Sequence, residues 1–119
     1  MGYNVHITRA KKWPESESFP ITLEEWLAYV RSDKEMHLEG VATASSPAGA
    51  EIKVQAAGLA KWTDPVSGTT AWFDHWRNKI SVKHPSHATL AKMFRIAVAL
   101  GAHVQGDEGE VYDALGNSC

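Results

Sequence analysis

The sequence predicts a single α+β domain: a mainly antiparallel β-sheet of about five to seven strands with two α-helices packed on one face. Two stretches carry apolar residues at helical spacing, and several short stretches around them alternate apolar and polar residues between turn-forming residues. The composition, 44% hydrophobic and 22% charged, is that of an ordinary globular protein. Because no linker or repeat divides the chain, residues 1–119 are expected to form one domain.

Both helices have recognisable boundaries. Thr22 and Glu25 form a capping box at the start of the first helix, and residues 31–35 should end that helix in solvent. Ser86 caps the second helix, and Gly101 ends it because glycine adopts the left-handed conformation at no steric cost. The predicted buried stripes are Leu23, Trp26, Leu27 and Val30 in the first helix, and Leu90, Met93, Phe94, Ala97 and Val98 in the second.

The remaining residues are predicted to form strands and loops. Residues 3–9 alternate, which is typical of a half-buried strand. Residues 10–19 have no usable period and are predicted to be a surface loop. Further strands are predicted at 38–44, 51–56, 59–63, 70–76, 79–83, 102–105 and 110–112, with turns at 45–49, 64–68, 77–78 and 106–109.

Charge and composition narrow the classes of partner. A net charge of −2, with Lys and Arg scattered along the chain, argues against non-specific nucleic-acid binding, which needs a concentrated basic surface. No apolar run approaches the roughly 18 residues that span a membrane. Cys119 is the only cysteine and can form no internal disulfide. We therefore expect a cytoplasmic protein with neither a nucleic-acid partner nor a membrane partner.

The six histidines do not form a recognisable catalytic or metal-binding motif. His84 and His87 lack a nearby cysteine or carboxylate to complete a metal site, so no metal or cofactor is expected. Asp74 and His75 are neighbours on a predicted strand and should face opposite sides of the sheet. A small hydrolase or transferase with His75 or His103 as its base is an alternative, and it requires a pocket that holds a histidine near a carboxylate or hydroxyl.

Two groups of residues are candidate partner-binding surfaces. Four carboxylates crowd in and after the last turn, where a solvated turn, a cationic partner and a calcium ion are alternatives in that order. Five tryptophans are many for this length, and two of them share a predicted strand face with an aspartate. A rim that shields the sheet is the simpler explanation, and a docking surface is the alternative. The groups are Asp107, Glu108, Glu110 and Asp113, and Trp72, Asp74 and Trp76.

Four segments carry a resemblance to a protein family: residues 2–9, 21–27, 71–74 and 100–112. Together they resemble a group of small uncharacterised bacterial proteins encoded near polymorphic toxins. The resemblance implies an immunity protein that binds and neutralises a cognate toxin in the cytoplasm, without a catalytic residue of its own. A homodimeric interaction module, joined through a sheet edge or a tryptophan face, is a further alternative.

Overall fold

The computed structural model describes residues 3–45 and 51–117, and it confirms the predicted α+β class. Within these residues, seven strands form one antiparallel sheet, accompanied by two α-helices and a short 3₁₀ helix. In chain order the elements are β1 (Asn4–Thr8), the 3₁₀ helix (Trp13–Ser18), α1 (Leu23–Ser32), β2 (Met36–Ser45), β3 (Glu51–Thr63), β4 (Thr70–Trp76), β5 (Lys79–Lys83), α2 (His87–Leu100), β6 (His103–Gly106) and β7 (Val111–Tyr112).

Strand β1 lies inside the sheet although it comes first in the chain. The strand order is β2-β3-β4-β5-β1-β6-β7. On one side Val5 lies opposite Val82 of β5, and on the other Ile7 lies opposite Val104 of β6. The paired strands around β1 therefore place side chains from both ends of the chain next to each other.

The predicted helix boundaries are confirmed by local hydrogen bonds. Thr22 Oγ1 accepts from the Glu25 amide at 3.2 Å, and Glu25 Oε1 accepts from the Thr22 amide at the same distance. Ser86 Oγ accepts from the Thr89 amide at 3.2 Å. Gly101 ends α2 with φ of 65°, a left-handed conformation that glycine adopts without strain.

The main core lies between the sheet and the two α-helices. Trp26 of α1 stacks on Phe73 of β4, with 6.4 Å between the ring centroids, and its indole Nε1 donates to the Gly58 carbonyl at 2.8 Å. Strand β1 contributes Ile7, and α2 contributes Met93, both fully buried. These contacts place α1 and α2 on the same face of the sheet, as predicted.

The prediction that residues 31–35 end α1 in solvent is wrong for two of them. Lys92 of α2 is 4% exposed, and its Nζ donates to Asp33 Oδ2 at 2.6 Å and to Glu35 Oε1 at 3.1 Å. Asp33 also accepts from the Tyr29 hydroxyl at 2.6 Å. The two carboxylates stabilise the buried ammonium, so the end of α1 is tied to α2.

Two details of the periodic segments also differ from the predictions. The separate strands predicted at 51–56 and 59–63 are one strand, β3, which continues through Gly58. Glycine is required there because a Cβ would lie 2.5 Å from the Cβ of His75 on β4. Val98, predicted in the buried stripe of α2, is 63% exposed, and Ile96 is buried instead. The predicted turn at 45–49 falls almost entirely outside the described residues, as does Cys119.

The surface loop predicted at 10–19 is partly right, because most of these residues are exposed, but the segment is not an irregular loop. This segment contains the 3₁₀ helix, which has Pro14 in its first turn, and Ser16 is buried within it. Ser16 Oγ lies 2.7 Å from Thr8 Oγ1 of β1. Because the 3₁₀ helix covers the second face of β1, the prediction of a half-buried strand is wrong as well: His6 and Thr8 are buried along with Val5.

Candidate functional site

A groove lies on the sheet face opposite α1 and α2, beside the 3₁₀ helix. The 3₁₀ helix covers β1, whereas the neighbouring part of this face is open, and Trp72 and Trp76 of β4 are 48% and 60% exposed there. The groove has a volume of about 590 Å³. Its lining includes His6, Trp13, Trp72, Asp74, Trp76 and Lys79.

A row of polar residues crosses the groove from strand to strand. The strand register places Asp74 of β4 opposite Ser81 of β5, Ser81 opposite His6 of β1, and His6 opposite Gln105 of β6. Residues that lie opposite each other in paired strands project to the same face of a sheet. Sheet pairing therefore brings a carboxylate, a hydroxyl, an imidazole and an amide into one line.

His6 is at the centre of this row and is 3% exposed. Its Nδ1 lies 2.7 Å from Ser81 Oγ and its Nε2 lies 2.8 Å from Asp107 Oδ1. Burial lowers the pKa of His6 and outweighs the hydrogen bond with Asp107, so the imidazole is neutral at neutral pH. With Asp107 ionised, Nε2 carries the proton and donates to it, and Nδ1 accepts from the Ser81 hydroxyl.

Trp13 closes the side of the groove above His6. The two rings stack with their centroids 4.4 Å apart. The Trp13 amide donates to Gln105 Oε1 at 2.6 Å, and its indole Nε1 donates to the Asp107 carbonyl at 3.2 Å. These bonds anchor the 3₁₀ helix to β6 and fix the position of the indole.

Lys79 is the most unusual group in the groove because it is a buried cation with little compensation. The residue is 6% exposed, and its Nζ donates to the Trp76 carbonyl at 3.4 Å. Among the described residues, no carboxylate oxygen lies within 4.0 Å of this ammonium. Burial, reinforced by the charge of Arg77, lowers the pKa of Lys79. The ammonium also lies 5.9 Å from the Trp13 ring centroid.

The predicted surface of Trp72, Asp74 and Trp76 forms one wall of the groove. Burial raises the pKa of Asp74, although the charges of His75 and Lys79 oppose this shift. Asp74 and His75 face opposite sides of the sheet, as predicted. This strand therefore offers two exposed indoles that flank a carboxylate.

The four acidic residues of the last turn do not form one free surface. Glu110 Oε2 accepts from the hydroxyls of Tyr3 and Tyr112. Asp113 Oδ1 accepts from the Asn117 amide at 3.0 Å, within the C-terminal turn. These carboxylates are used inside the fold.

The other two acidic residues have different surroundings. Asp107 lines the groove and accepts hydrogen bonds from the backbone amide of Asn4, at 2.8 Å, and from His6. Burial opposes its ionisation, but the Asn4 and His6 bonds outweigh burial and lower the pKa of Asp107. Glu108 is exposed. The structure thus joins only Asp107 of this group to the tryptophan surface.

The histidines proposed as a base for the enzyme alternative lie outside the groove. His75 Nε2 is 2.7 Å from the Ile21 carbonyl, on the helix-covered face of the sheet. His103 lies on β6, and burial lowers its pKa. The histidine that meets the requirement of a pocket, a carboxylate and a hydroxyl is His6.

His6, Ser81, Lys79 and Trp13 were all missed as site residues by reasoning from the sequence. The alternation of β1 and β5 indicates that His6 shares a face with Asn4, and that Ser81 shares one with Lys79. What the alternation does not indicate is that β1 pairs with β5. That pairing brings the two polar faces together.

A search of the described residues found neither a metal-binding cluster nor a membrane-spanning helix. In residues 3–45 and 51–117, no cluster of three or more His, Cys, Asp or Glu side chains could hold a metal ion. Among the same residues, neither α-helix combines the length and the apolar character that crossing a membrane requires. No protein-family model, curated protein or solved structure matches this chain.

Proposed function

We propose that this chain is a cytoplasmic binding protein that neutralises a cognate bacterial toxin by occluding it, with the groove as its contact surface. The observation that carries the proposal is the pair of exposed indoles, Trp72 and Trp76, on the open face of the sheet. Large exposed aromatic side chains next to a concave surface are typical of binding sites. The toxin as partner follows from the family resemblance of the sequence.

The exposed indole surface is large enough to matter for affinity. Covering the exposed parts of two tryptophans removes roughly 200 Å² of apolar surface from water, which is worth about 5 kcal/mol before the costs of association. Trp72 and Trp76 lie on either side of Asp74, each two residues from it, on the same strand face. One helix or strand of a partner can therefore cover both indoles. The sheet beneath them is held by paired strands, so the surface is preorganised.

Copurification with the product of the adjacent gene tests the proposal. We expect a stable complex and protection of cells that express the toxin. Replacing Trp72 and Trp76 together by alanine should weaken binding at least 100-fold, as expected for two central aromatic contacts. Phe19→Ala is the matched control, because Phe19 is 53% exposed and does not line the groove. The absence of both complex and protection would refute toxin neutralisation.

A second candidate function, hydrolysis through Ser81, is favoured by the hydrogen-bonded line of Ser81, His6 and Asp107. A neutral imidazole that accepts from a serine hydroxyl and donates to a carboxylate is the arrangement that activates a serine nucleophile. Two features count against it. Trp13 covers the imidazole, which restricts access of a leaving group to His6. Ser81 lies within a strand paired on both sides, so its amide is engaged in the sheet and cannot stabilise an oxyanion.

A fluorophosphonate probe separates the two candidates. In a reactive site, Ser81 Oγ attacks phosphorus, fluoride leaves, and His6 Nδ1 takes the hydroxyl proton. The binding function predicts no labelling of the folded protein. Labelling that is abolished by Ser81→Ala and by His6→Ala, with the fold retained, would establish the hydrolase instead.

A further inference from the structure

We propose that Lys79 receives a carboxylate of the bound protein, so that the groove recognises an acidic segment of its partner. This inference rests on the proposed binding function and specifies the chemistry of the partner. It differs from the sequence-based expectation of a cationic partner for the acidic last turn, because Glu110 and Asp113 are used inside the fold.

Lys79 is incompletely hydrogen-bonded within the described residues. An ammonium has three donors, and this one has a single long bond to a carbonyl among the described residues. Burying such a charge without a carboxylate costs free energy. The contrast with Lys92 is instructive, since that equally buried lysine is held by the carboxylates of Asp33 and Glu35. Lys79 lines the groove, so a carboxylate from outside can supply what the fold does not.

Positive charges predominate among the residues that line the groove around Lys79. Arg77 and Lys83 also line the groove and flank Lys79 on either side along the chain. Two carboxylates, Asp74 and Asp107, line it too. Asp107 already accepts from the backbone amide of Asn4 and from the imidazole of His6. Three cationic residues and one unengaged carboxylate therefore line the groove, and Glu17 lines an adjoining hollow together with Lys79 and Arg77.

Aromatic rings form the apolar walls of the groove around Lys79. The rings of Trp13 and Trp76 both line the groove beside Lys79. Low-polarity walls strengthen the attraction between an ammonium and a carboxylate, once both are shielded from water. A segment that alternates acidic and apolar residues fits this surface, since its acidic side chains can reach Lys79 while its apolar ones cover the indoles.

An acidic protein segment fits better than single-stranded nucleic acid, which would also use aromatic rings and cations. A phosphate backbone places a charge at every nucleotide, and a strand stacked on Trp72 and Trp76 would bring such a charge close to Asp74, which lies between them on β4. The chain as a whole carries a net charge of −2, and its Lys and Arg residues are scattered along the sequence.

The test uses the full chain and a short capped peptide of alternating glutamate and leucine, with tryptophan fluorescence as the readout. The matched peptide carries glutamine in place of glutamate. We expect the glutamate peptide to bind at least tenfold more tightly than the glutamine peptide. Lys79→Met should abolish this preference, whereas Lys34→Met, which removes the same charge from an exposed position, should retain it.

Several outcomes would overturn the inference. Equal or undetectable binding of the two peptides would do so, as would an unchanged preference in Lys79→Met or tighter binding of oligothymidylate than of the glutamate peptide. Lys79→Met should still fold, because methionine replaces a poorly compensated buried charge by an apolar chain of similar length. Thermal unfolding of the variant checks this.

The inference and the proposed function can fail separately. If the toxin complex forms and Lys79→Met weakens it less than twofold, the carboxylate inference is wrong and toxin neutralisation stands. If no toxin complex forms but the peptide preference depends on Lys79, the acidic ligand stands and toxin neutralisation is wrong.

Discussion

The hydrogen bonds of Asp107 predict that this residue stabilises the fold, in addition to lining the groove. Asp107→Ala removes the acceptor of the Asn4 amide and of His6 Nε2, each bonded at 2.8 Å. Losing a hydrogen bond to a charged acceptor costs about 1.5–3 kcal/mol. The Asp107 side chain is 30% exposed, so water can replace part of each bond. We therefore expect a loss of about 3 kcal/mol.

The isosteric variant gives a sharper comparison. In Asp107→Asn the amide oxygen still accepts from the Asn4 amide, and its NH₂ group can donate to His6 Nε2 once the imidazole proton moves to Nδ1 and bonds Ser81 Oγ. The expected loss is about 1 kcal/mol, because neutral hydrogen bonds replace charged ones. Glu108→Ala removes the exposed neighbouring charge and should change stability by less than about 0.5 kcal/mol.

Urea unfolding, followed by tryptophan fluorescence at neutral pH, measures all three variants. With a slope of roughly 1.5 kcal/mol/M, a loss of 3 kcal/mol shifts the midpoint by about 2 M. From most to least stable, we expect the unsubstituted protein, Glu108→Ala, Asp107→Asn and Asp107→Ala. Equal midpoints for Asp107→Ala and Glu108→Ala would refute the structural role and make Asp107 a purely surface carboxylate.

Three further predictions concern other parts of the fold. Gly58→Ala should lower the free energy of unfolding by about 2–3 kcal/mol, because the new methyl group would lie 2.5 Å from the Cβ of His75. Thermal unfolding measures this loss, and an unchanged midpoint would contradict it. Lys92→Met should cost about 2–3 kcal/mol in urea, because Asp33, at 12% side-chain exposure, loses its cation; a stabilised variant would show that the pair is replaceable by apolar packing. Stability should fall as the pH drops below 6.5, the ordinary histidine pKa, because the unfolded chain takes up a proton on His6 before the folded protein does; a flat profile between about pH 7 and pH 5 would contradict this.

The elements that the sequence predicts well depend on short-range interactions. The Thr22 and Glu25 capping box closes within four residues, and the caps at Ser86 and Gly101 are equally local. Such capping residues lie within a few positions of the helix end that they specify, so the sequence shows them directly. The same holds for the turn at Arg77 and Asn78, whose φ values of 51° and 64° fit the predicted tight hairpin.

The groove could not be predicted in the same way, because its parts are distant in the chain. His6 meets Ser81 and Asp107 across separations of 75 and 101 residues. Periodicity predicts that each strand has a polar face, and it does not predict which strands pair. Trp13 lies in a segment without period, whose position depends on bonds to Gln105 and to the Asp107 backbone. The tryptophan pair of β4 was accessible from the sequence because it needs only the two-residue repeat of a strand.

The position of β1 in the interior of the sheet also constrains the order in which the domain folds. Its neighbours in the sheet, β5 and β6, follow it by most of the length of the chain. Contacts between distant residues must overcome a large loop-closure entropy, so domains built this way fold slowly. On the ribosome, β1 must wait until β6 has left the exit tunnel before both of its edges are covered. During that interval its apolar residues, Val5 and Ile7, are exposed to other chains, and the nascent protein is most vulnerable to aggregation there.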